Sequence, residues 1–344
     1  MTARIFVTRR IPEPGLQVLR DAGLEVEIGQ PDPERGLDRD ALLRGVAGAD
    51  VLLALLTERI DAEVLEAGPR LRGIANMAVG YDNIDIDAAT GRGLPVSNTP
   101  GVLTDTTADL TWALLLAAAR RVPESERYLR AGRYRLWGPE LFLGADPSPG
   151  GSGARKTLGI IGFGRIGRAV ARRAHGFDMR VLAHSPERDE IEATSDVAYA
   201  GLEALLRESD FVTLHAPGTP ETRHLIGARE LALMKPTAFL VNVARGELVD
   251  EAALVAALRD GTIAGAALDV YEREPALAPG LLECENAVLV PHIGSASTDT
   301  RGLMAGMAAT NAVAHARGEP APNVVNAAVY ATDAYRRRAG SILR

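Results

Sequence analysis

One stretch, TLGIIGFGRIGRAVARRAHGF at residues 157–177, limits what this chain can fold into more than any other. Its apolar opening, without alternation, reads as a strand buried on both faces, and its second half has the period of an amphipathic helix. A strand that runs straight into a helix commits the next strand-like run, MRVLAHS, to a parallel pairing. Between the two elements, Gly162, Gly164 and Gly167 take the G-x-G-x-x-G spacing. That spacing says little alone, but between a strand and a helix it is a dinucleotide fingerprint. Gly162 permits the tight turn, Gly164 lets the backbone approach a pyrophosphate, and Gly167 lets helix and strand pack closely. The helix then opens at Arg165 and Ile166, where free N–H groups and the positive helix end suit phosphate. A glycine loop with a purely structural role is the competing reading.

The same alternation of apolar runs and helical segments occurs elsewhere. RIFVTRR, LEVEI, VLLALL, RLRGIANM and GLPVSN precede it, and further runs continue to Leu289, so the chain reads as α/β with parallel sheets. LTDTTADLTWALLLAAARRV predicts one long, largely buried helix from about Thr104, ended by Pro123. GADPSPGGSGA, at 144–154, predicts a surface loop, and residues 295–317 a helix ending near Gly318 and Pro320.

Three apolar runs, AFLVNVARG, IAGAALDVYEREP and NAVLVPHIGSAS, place Arg245, Glu274 and His292 just beyond strand ends. Open α/β sheets bind ligands beyond the carboxyl ends of their strands. A fixed cation, a carboxylate and an imidazole together suit reduction of a carbonyl that carries a neighbouring carboxylate. The cation holds the anion and the imidazole supplies the proton.

Composition narrows the field. A formal charge of −7 argues against a nucleic-acid partner, and 47% hydrophobic with 24% charged residues is the profile of an ordinary globular protein. No apolar run has bilayer length and MTARIFVTRR does not read as a signal peptide, so a cytoplasmic location without membrane partners is expected. The single cysteine, Cys284, excludes an intramolecular disulfide, and the six histidines form no H-E-x-x-H array, so no metal is expected. His175 and His315 lie in helical stretches and read as solvent-facing or half-buried, and His184 and His215 as structural hydrogen-bonding groups. Arg336, Arg337 and Arg338 read as part of a solvated or frayed tail. At the end of MRVLAHS stand Ser185, which would not repel a 2′-phosphate, and Arg188, which could pair with one. NADP(H) is therefore favoured over NAD(H), with Glu187, Asp189 and Glu190 opposing it if turned inward.

With these residues in place, the chain resembles the D-isomer-specific 2-hydroxyacid dehydrogenase family from about Arg4 to about Asn326. Through IANMAVGYDNIDIDAATGRGLPVSNTPGVLTDTTADLTWALLLAAAR and LFLG it is most similar to the glyoxylate/hydroxypyruvate reductases. The resemblance implies two doubly wound parallel-sheet lobes: a Rossmann cofactor domain (101–294) inserted in a flavodoxin-like substrate domain (1–100 and 295–330), with a tail at 331–344. It also implies a homodimer and NAD(P)H-dependent reduction of small 2-keto acids. Arg245 resembles the substrate-binding arginine, Glu274 the acidic partner and His292 the proton donor. NMAVGYDN resembles the substrate loop, with Asn76 and the N–H groups around Ala78, Val79 and Gly80 gripping the carboxylate. Thr104, Val243, Ala244 and Asp269 resemble residues beside the nicotinamide, Gly294 a further cofactor-binding residue, and Pro217 and Thr222 an adenosine-side wall. Gly218 stands where a larger apolar residue is common. Trp137 matches a tryptophan that reaches the partner subunit's pocket; as a lone loop tryptophan it also suits a packing anchor. Other D-2-hydroxyacid dehydrogenases, acting on phosphoglycerate or bulkier acids, stay open as alternatives, as does a dinucleotide-sensing corepressor without turnover. Formate dehydrogenases of this fold carry glutamine where Glu274 stands, and a phosphite-oxidising relative would carry a cation where this chain has Val79.

Overall fold

Runs such as Val51–Ala54 and Thr157–Ile161 are buried at every position, which only a sheet covered on both faces can supply. The computed structural model describes residues 2–32, 34–149 and 153–342, and every ladder between its named strands is parallel. The chain divides into two compact units, Met1–Leu103 with Ser295–Arg344, and Thr104–Gly294.

The first unit holds β1 (Arg4–Arg9), β2 (Glu25–Gln30), β3 (Val51–Ala54), β4 (Gly73–Asn76) and β5 (Val96–Ser97), in the order β2-β1-β3-β4-β5. This is the flavodoxin-like doubly wound order. On one face Leu16 and Leu19 of helix Glu13–Asp21 pack with Met304, Ala305 and Ala308 of helix Thr298–Arg317. A Cβ on Gly15 would stand 2.7 Å from the Ala305 carbonyl oxygen, so glycine sets how closely these helices approach. The second of them is closed by Ser297, whose Oγ accepts the Thr300 N–H, and by left-handed Gly318 at φ 70°.

The C-terminal segment differs from the expected frayed tail. Residues Asp333–Ile342 form a helix, where Tyr335 meets Tyr330 edge to face at 5.0 Å. Half-buried Arg338 donates to the Arg92 and Pro69 carbonyls at 3.2 Å, and also to that of Leu71. Arginine lacks an apolar signal, yet its stem packs and its fork collects backbone carbonyls. Leu343 and Arg344 lie outside the described residues.

The second unit holds β6 (Thr157–Ile161), β7 (Arg180–His184), β8 (Val197–Tyr199), β9 (Phe211–Leu214), β10 (Phe239–Asn242), β11 (Gly265–Leu268) and β12 (Ala287–Leu289), in the order β12-β11-β10-β9-β6-β7-β8. That is the Rossmann winding, with its reversal between β6 and β9. The expected long helix is present but ends earlier, at Ala119, and a second helix follows it. Thr104–Ala119 ends before Arg121, which is left-handed at φ 52°, and Pro123 sits in the first turn of a second helix, Val122–Arg130. Proline there starts a helix instead of ending one. Trp112 anchors the first helix, donating to the Val170 carbonyl at 3.2 Å and stacking on Phe177 at 4.4 Å. Of the predicted loop at 144–154, Gly150, Gly151 and Ser152 lie outside the described residues, and Ala145 is tied to the Ala119 carbonyl at 2.8 Å. No helix of the described residues is long and apolar enough to cross a membrane.

Candidate active site

Strands β10, β11 and β12 lie side by side, and the groups of interest stand just past their ends. Past β10, the Asn242 amide donates to the Arg245 carbonyl at 2.9 Å while its Oδ1 accepts the Ala244 N–H at 3.0 Å. One buried side chain thus fixes the backbone from which Arg245 projects. Val243 is buried and Ala244 half-buried in that turn, and the Arg245 guanidinium donates to the Ala244 carbonyl at 2.8 Å. A Cβ on Gly246 would stand 1.9 Å from the Tyr271 carbonyl carbon, so the loops after β10 and β11 can touch only because that residue is glycine.

Past β12 the chain turns through His292 at φ 53°, a left-handed conformation that costs a non-glycine residue about 1–2 kcal/mol. Asp269 holds it there. Its carbonyl accepts the His292 N–H at 2.8 Å, and its carboxylate accepts the N–H groups of Ile293 (2.5 Å) and Gly294 (2.8 Å). The Thr107 hydroxyl donates to the Gly294 carbonyl at 3.1 Å. Burial raises the Asp269 carboxyl above its usual range against the pull of those N–H bonds.

So held, the His292 ring places Nδ1 2.9 Å from Glu274 Oε2, and Glu274 Oε1 accepts the Tyr271 N–H at 3.0 Å. Burial pushes the Glu274 carboxyl up, but the His292 bond and charge, the Tyr271 N–H and the charge of Arg245 outweigh it, leaving a net lowering. Glu274 is ionised at neutral pH and faces Nδ1, which leaves Nε2 as the ring nitrogen not engaged with it.

At the winding reversal, Gly162 has φ 91°, and a Cβ on it would come within 2.5 Å of the Ala216 nitrogen. A Cβ on Gly167 would stand 2.2 Å from the Gly162 carbonyl oxygen, while Gly164 faces open space. Helix Arg165–Ala174 begins there without a side-chain cap. Its first N–H groups have no partner within the helix. Open backbone and unclaimed donors fit a pyrophosphate.

In the first unit, β4 runs into the loop 77–83. The Ala78 carbonyl accepts the Thr99 N–H (2.9 Å), the Val79 carbonyl accepts Asn98 Nδ2 (2.7 Å), and the Gly80 carbonyl accepts Asn76 Nδ2 (2.9 Å). The N–H groups of Ala78, Val79 and Gly80 take no partner among the described residues. Asn76 therefore braces the loop from a fully buried position, instead of touching a ligand as expected. Asn83 adds a second brace, its amide donating to the Leu55 and Glu58 carbonyls at 3.1 Å.

Residues 112–294 match the family model "D-isomer specific 2-hydroxyacid dehydrogenase, NAD binding domain". The chain is 51% identical over 331 residues to a glyoxylate reductase of Thermococcus gammatolerans, covering 95% of this chain and 96% of that one. It is 52% identical over 330 residues to a glyoxylate reductase of Korarchaeum cryptofilum, with the same coverage. Among solved structures it is similar to the TT0316 protein of Thermus thermophilus (TM-score 0.86, 46% identity, 94% of this chain and 99% of that one). It is also similar to an NADPH-dependent glyoxylate/hydroxypyruvate reductase of Sinorhizobium meliloti in complex with NADP and malonate (TM-score 0.77, 32% identity, 95% and 97%). The chain belongs to the D-isomer-specific 2-hydroxyacid dehydrogenase family. It is an oxidoreductase with a domain for a nicotinamide dinucleotide.

The remaining predicted positions of this dehydrogenase divide by what their side chains already do. Thr104 opens helix Thr104–Ala119 and Pro217 follows β9. Thr222 is engaged within its own loop, donating to the Pro217 carbonyl (2.7 Å) and accepting the Thr219 N–H (2.8 Å). A Cβ on Gly218 would meet Glu247 Oε1 at 2.4 Å and Arg245 Cγ at 3.1 Å, so the small residue lets this loop lie against Arg245. Ser185 donates to Glu187, a bond that lowers the Glu187 carboxyl pKa. Arg188, which could pair with a 2′-phosphate, donates to Glu192 at 2.6 Å and lies over the Tyr199 ring at 4.7 Å. Trp137 is 71% exposed. His184 does bond the Ala200 carbonyl (3.0 Å), but neither ring nitrogen of His215 has a partner among the described residues, and burial lowers its pKa to about 3. His315, read as solvent-facing or half-buried, is 1% exposed and bonds the Ser97 hydroxyl at 3.0 Å.

Sequence reasoning missed Asn98, Asn83 and Asn242, which have no spacing signature, and also Glu272. That carboxylate accepts from both Arg223 and His224 at 2.9 Å, tying the loop after β9 to the loop that carries Glu274. Among the described residues, no three His, Cys, Asp or Glu side chains gather as a metal site would need.

Proposed function

We propose that this dehydrogenase reduces small 2-keto acids, glyoxylate and hydroxypyruvate foremost, to D-2-hydroxy acids. The observation that carries the reading is the 2.9 Å contact from His292 Nδ1 to an ionised Glu274 in the unit that also bears Arg245. The names of the relatives support the substrate class. When bound, the reduced nicotinamide supplies the hydride. His292 gives its Nε2 proton to the keto oxygen, and Glu274 stabilises the charged ring before transfer and holds Nδ1–H afterwards. Arg245 pairs with the substrate carboxylate and stabilises charge developing on the oxygen. The unclaimed N–H groups of the loop 78–80 serve as carboxylate donors. The first N–H groups of helix Arg165–Ala174 hold the pyrophosphate, and Val243, Ala244, Asp269 and Gly294 are the nicotinamide-side contacts.

For the dinucleotide we favour NAD(H), reversing the expectation from sequence. Arg188 could leave Glu192, since an exposed pair is worth only about 0–1 kcal/mol. Glu187 weighs more: its ionised carboxylate beside Ser185 can accept ribose hydroxyls and repels a 2′-phosphate. The exposed side chains of Leu129, Leu136, Trp137 and Leu143 suit burial against a second copy, and a homodimer is part of this reading. Sedimentation at micromolar concentration tests that part.

The test of function is the initial rate of NADH and NADPH oxidation with glyoxylate, hydroxypyruvate, pyruvate and a bulky 2-keto acid. Rapid turnover of the first two is expected. Cofactor binding with no turnover on all four would overturn the reading in favour of a dinucleotide sensor.

A further inference from the structure

A trans peptide unit is planar, so anchoring its carbonyl aims the N–H of the following residue the opposite way. In the loop after β4, the Ala78 carbonyl is held by the Thr99 N–H (2.9 Å) and the Val79 carbonyl by Asn98 Nδ2 (2.7 Å). The two anchors are neighbours in sequence, so both carbonyls turn toward one side. The N–H groups of Val79 and Gly80 consequently share the other side, and neither donates to any described residue. Two successive N–H groups with a common direction make an anion-binding concavity.

Asn98 is itself fixed. Its N–H donates to the Asn323 carbonyl (3.1 Å), its carbonyl accepts Asn311 Nδ2 (3.0 Å), and it is 8% exposed. Only its amide NH₂ can pair with a carbonyl, so the orientation of the group follows from its partner. We propose that Asn98 is a positioning residue for substrate: by anchoring the Val79 carbonyl it aims the Gly80 N–H at the carboxylate of the 2-keto acid. The assignment rests on the reading that this loop receives the carboxylate. Asn98 touches no reacting atom, and its contribution is to affinity for the acid group. Without the anchor, the Val79–Gly80 peptide is free to rotate, and its carbonyl can face the anion that its N–H should meet.

The test is Asn98→Ala, with Asn98→Ser as the second variant, which keeps a polar group in a buried place should alanine compromise the fold. KM for glyoxylate and the inhibition constant for oxalate, a carboxylate that is not reduced, are each expected to rise about fivefold to tenfold, the scale of one lost hydrogen bond. kcat is expected to stay within about threefold, and NADH affinity, read by fluorescence titration, to stay unchanged; both follow from a loss confined to one substrate-side bond. The ratio of rates on glyoxylate and on a neutral dicarbonyl such as methylglyoxal should fall by the same factor, which general loosening of the fold would not produce. Wild-type KM and oxalate inhibition in a folded Asn98 variant would overturn the assignment. Gly80→Pro, which deletes the N–H itself, separates the two levels. If it raises KM while the Asn98 variants do not, only the positioning role fails; if it leaves KM and oxalate inhibition unchanged, the loop does not receive the carboxylate and both readings fall.

Discussion

The glycine turn of the second unit and the loop after β4 of the first, the two places proposed to receive an anion, leave backbone N–H groups unclaimed by opposite means. At 162–167 the backbone is shaped by what is missing: Gly167 leaves no Cβ to strike the Gly162 carbonyl 2.2 Å away, and Gly164 leaves the surface open. At 78–80 it is shaped by what has been added, three carbonyls each tied to a donor from Asn76, Asn98 or Thr99. A turn built by omission tolerates no enlargement but needs no partner. A loop built by tethers tolerates change at each tether with a graded loss. The proposed catalytic trio is a third case, in which the residue type just past a strand end is what matters.

The largest expected effect separates chemistry from scaffold. His292→Asn removes the imidazole proposed to hand over the proton, and kcat should fall by about a thousandfold, within the range for a lost general acid. Dinucleotide affinity, read by fluorescence, should be unchanged. A variant that retained near-normal kcat would end the assignment. Next in size, Gly167→Val should weaken dinucleotide binding about tenfold to a hundredfold and lower the melting temperature as well, since forcing side-chain atoms into a 2.2 Å gap costs about 1–3 kcal/mol. If binding survived that substitution, the turn would not be shaped by steric omission and the contrast with the tethered loop would collapse.

The same contrast explains what could be read in the sequence. Glycines at 162, 164 and 167 announce their turn because a steric constraint is local and only one residue type satisfies it. Both parallel sheets follow from unbroken apolar runs, and Arg245, Glu274 and His292 from their position after such runs. Tethers leave no such trace. Asn98 and Val79 are far apart in sequence, and an asparagine that anchors a remote carbonyl looks like one in any turn. Asn76 was legible as part of the loop but not as its brace. Asp269 was legible as a residue at a strand end, yet nothing in LDVYE indicates that its carboxylate would hold the His292 turn. A stop was legible at Pro123, but not that the chain turns at Arg121, because a left-handed arginine replaces the glycine or asparagine that would have signalled it. The C-terminal helix escaped notice because its anchor, Arg338, works through hydrogen bonds to carbonyls instead of through apolar periodicity.

A third prediction compares the units by their buried histidines. His315 in the first unit has its pKa lowered from 6.5 to about 4 by burial, and His215 in the second to about 3. Each is neutral in the folded state, whereas the unfolded chain takes up a proton below about 6.5. Stability is therefore intact above that pH and declines as pH falls toward the folded value. For His315 the loss between pH 6.5 and about 4 is roughly 3 kcal/mol. His315→Gln cannot ionise and can still meet the Ser97 hydroxyl, so its melting temperature should depend less on pH across that window than the wild type's. Parallel wild-type and variant curves would show that His315 is not a source of acid sensitivity.

The smallest effect concerns the end of β7, where neither omission nor tethering is at work but an exposed charge. Glu187 is ionised beside Ser185, and its leverage is limited by solvent. Glu187→Gln should shift the ratio of kcat/KM for NADPH over NADH upward by only about twofold to fivefold, the scale of exposed charge pairs, and the shift should shrink as ionic strength rises. A second consequence distinguishes repulsion from ribose recognition. If Glu187 only repels, the gain comes entirely from NADPH and NADH kinetics stay as they were. If it also accepts the ribose hydroxyls, KM for NADH rises at the same time. An unchanged ratio would mean that cofactor choice is set elsewhere at this strand end, with Arg188 released from Glu192 as the group to test next.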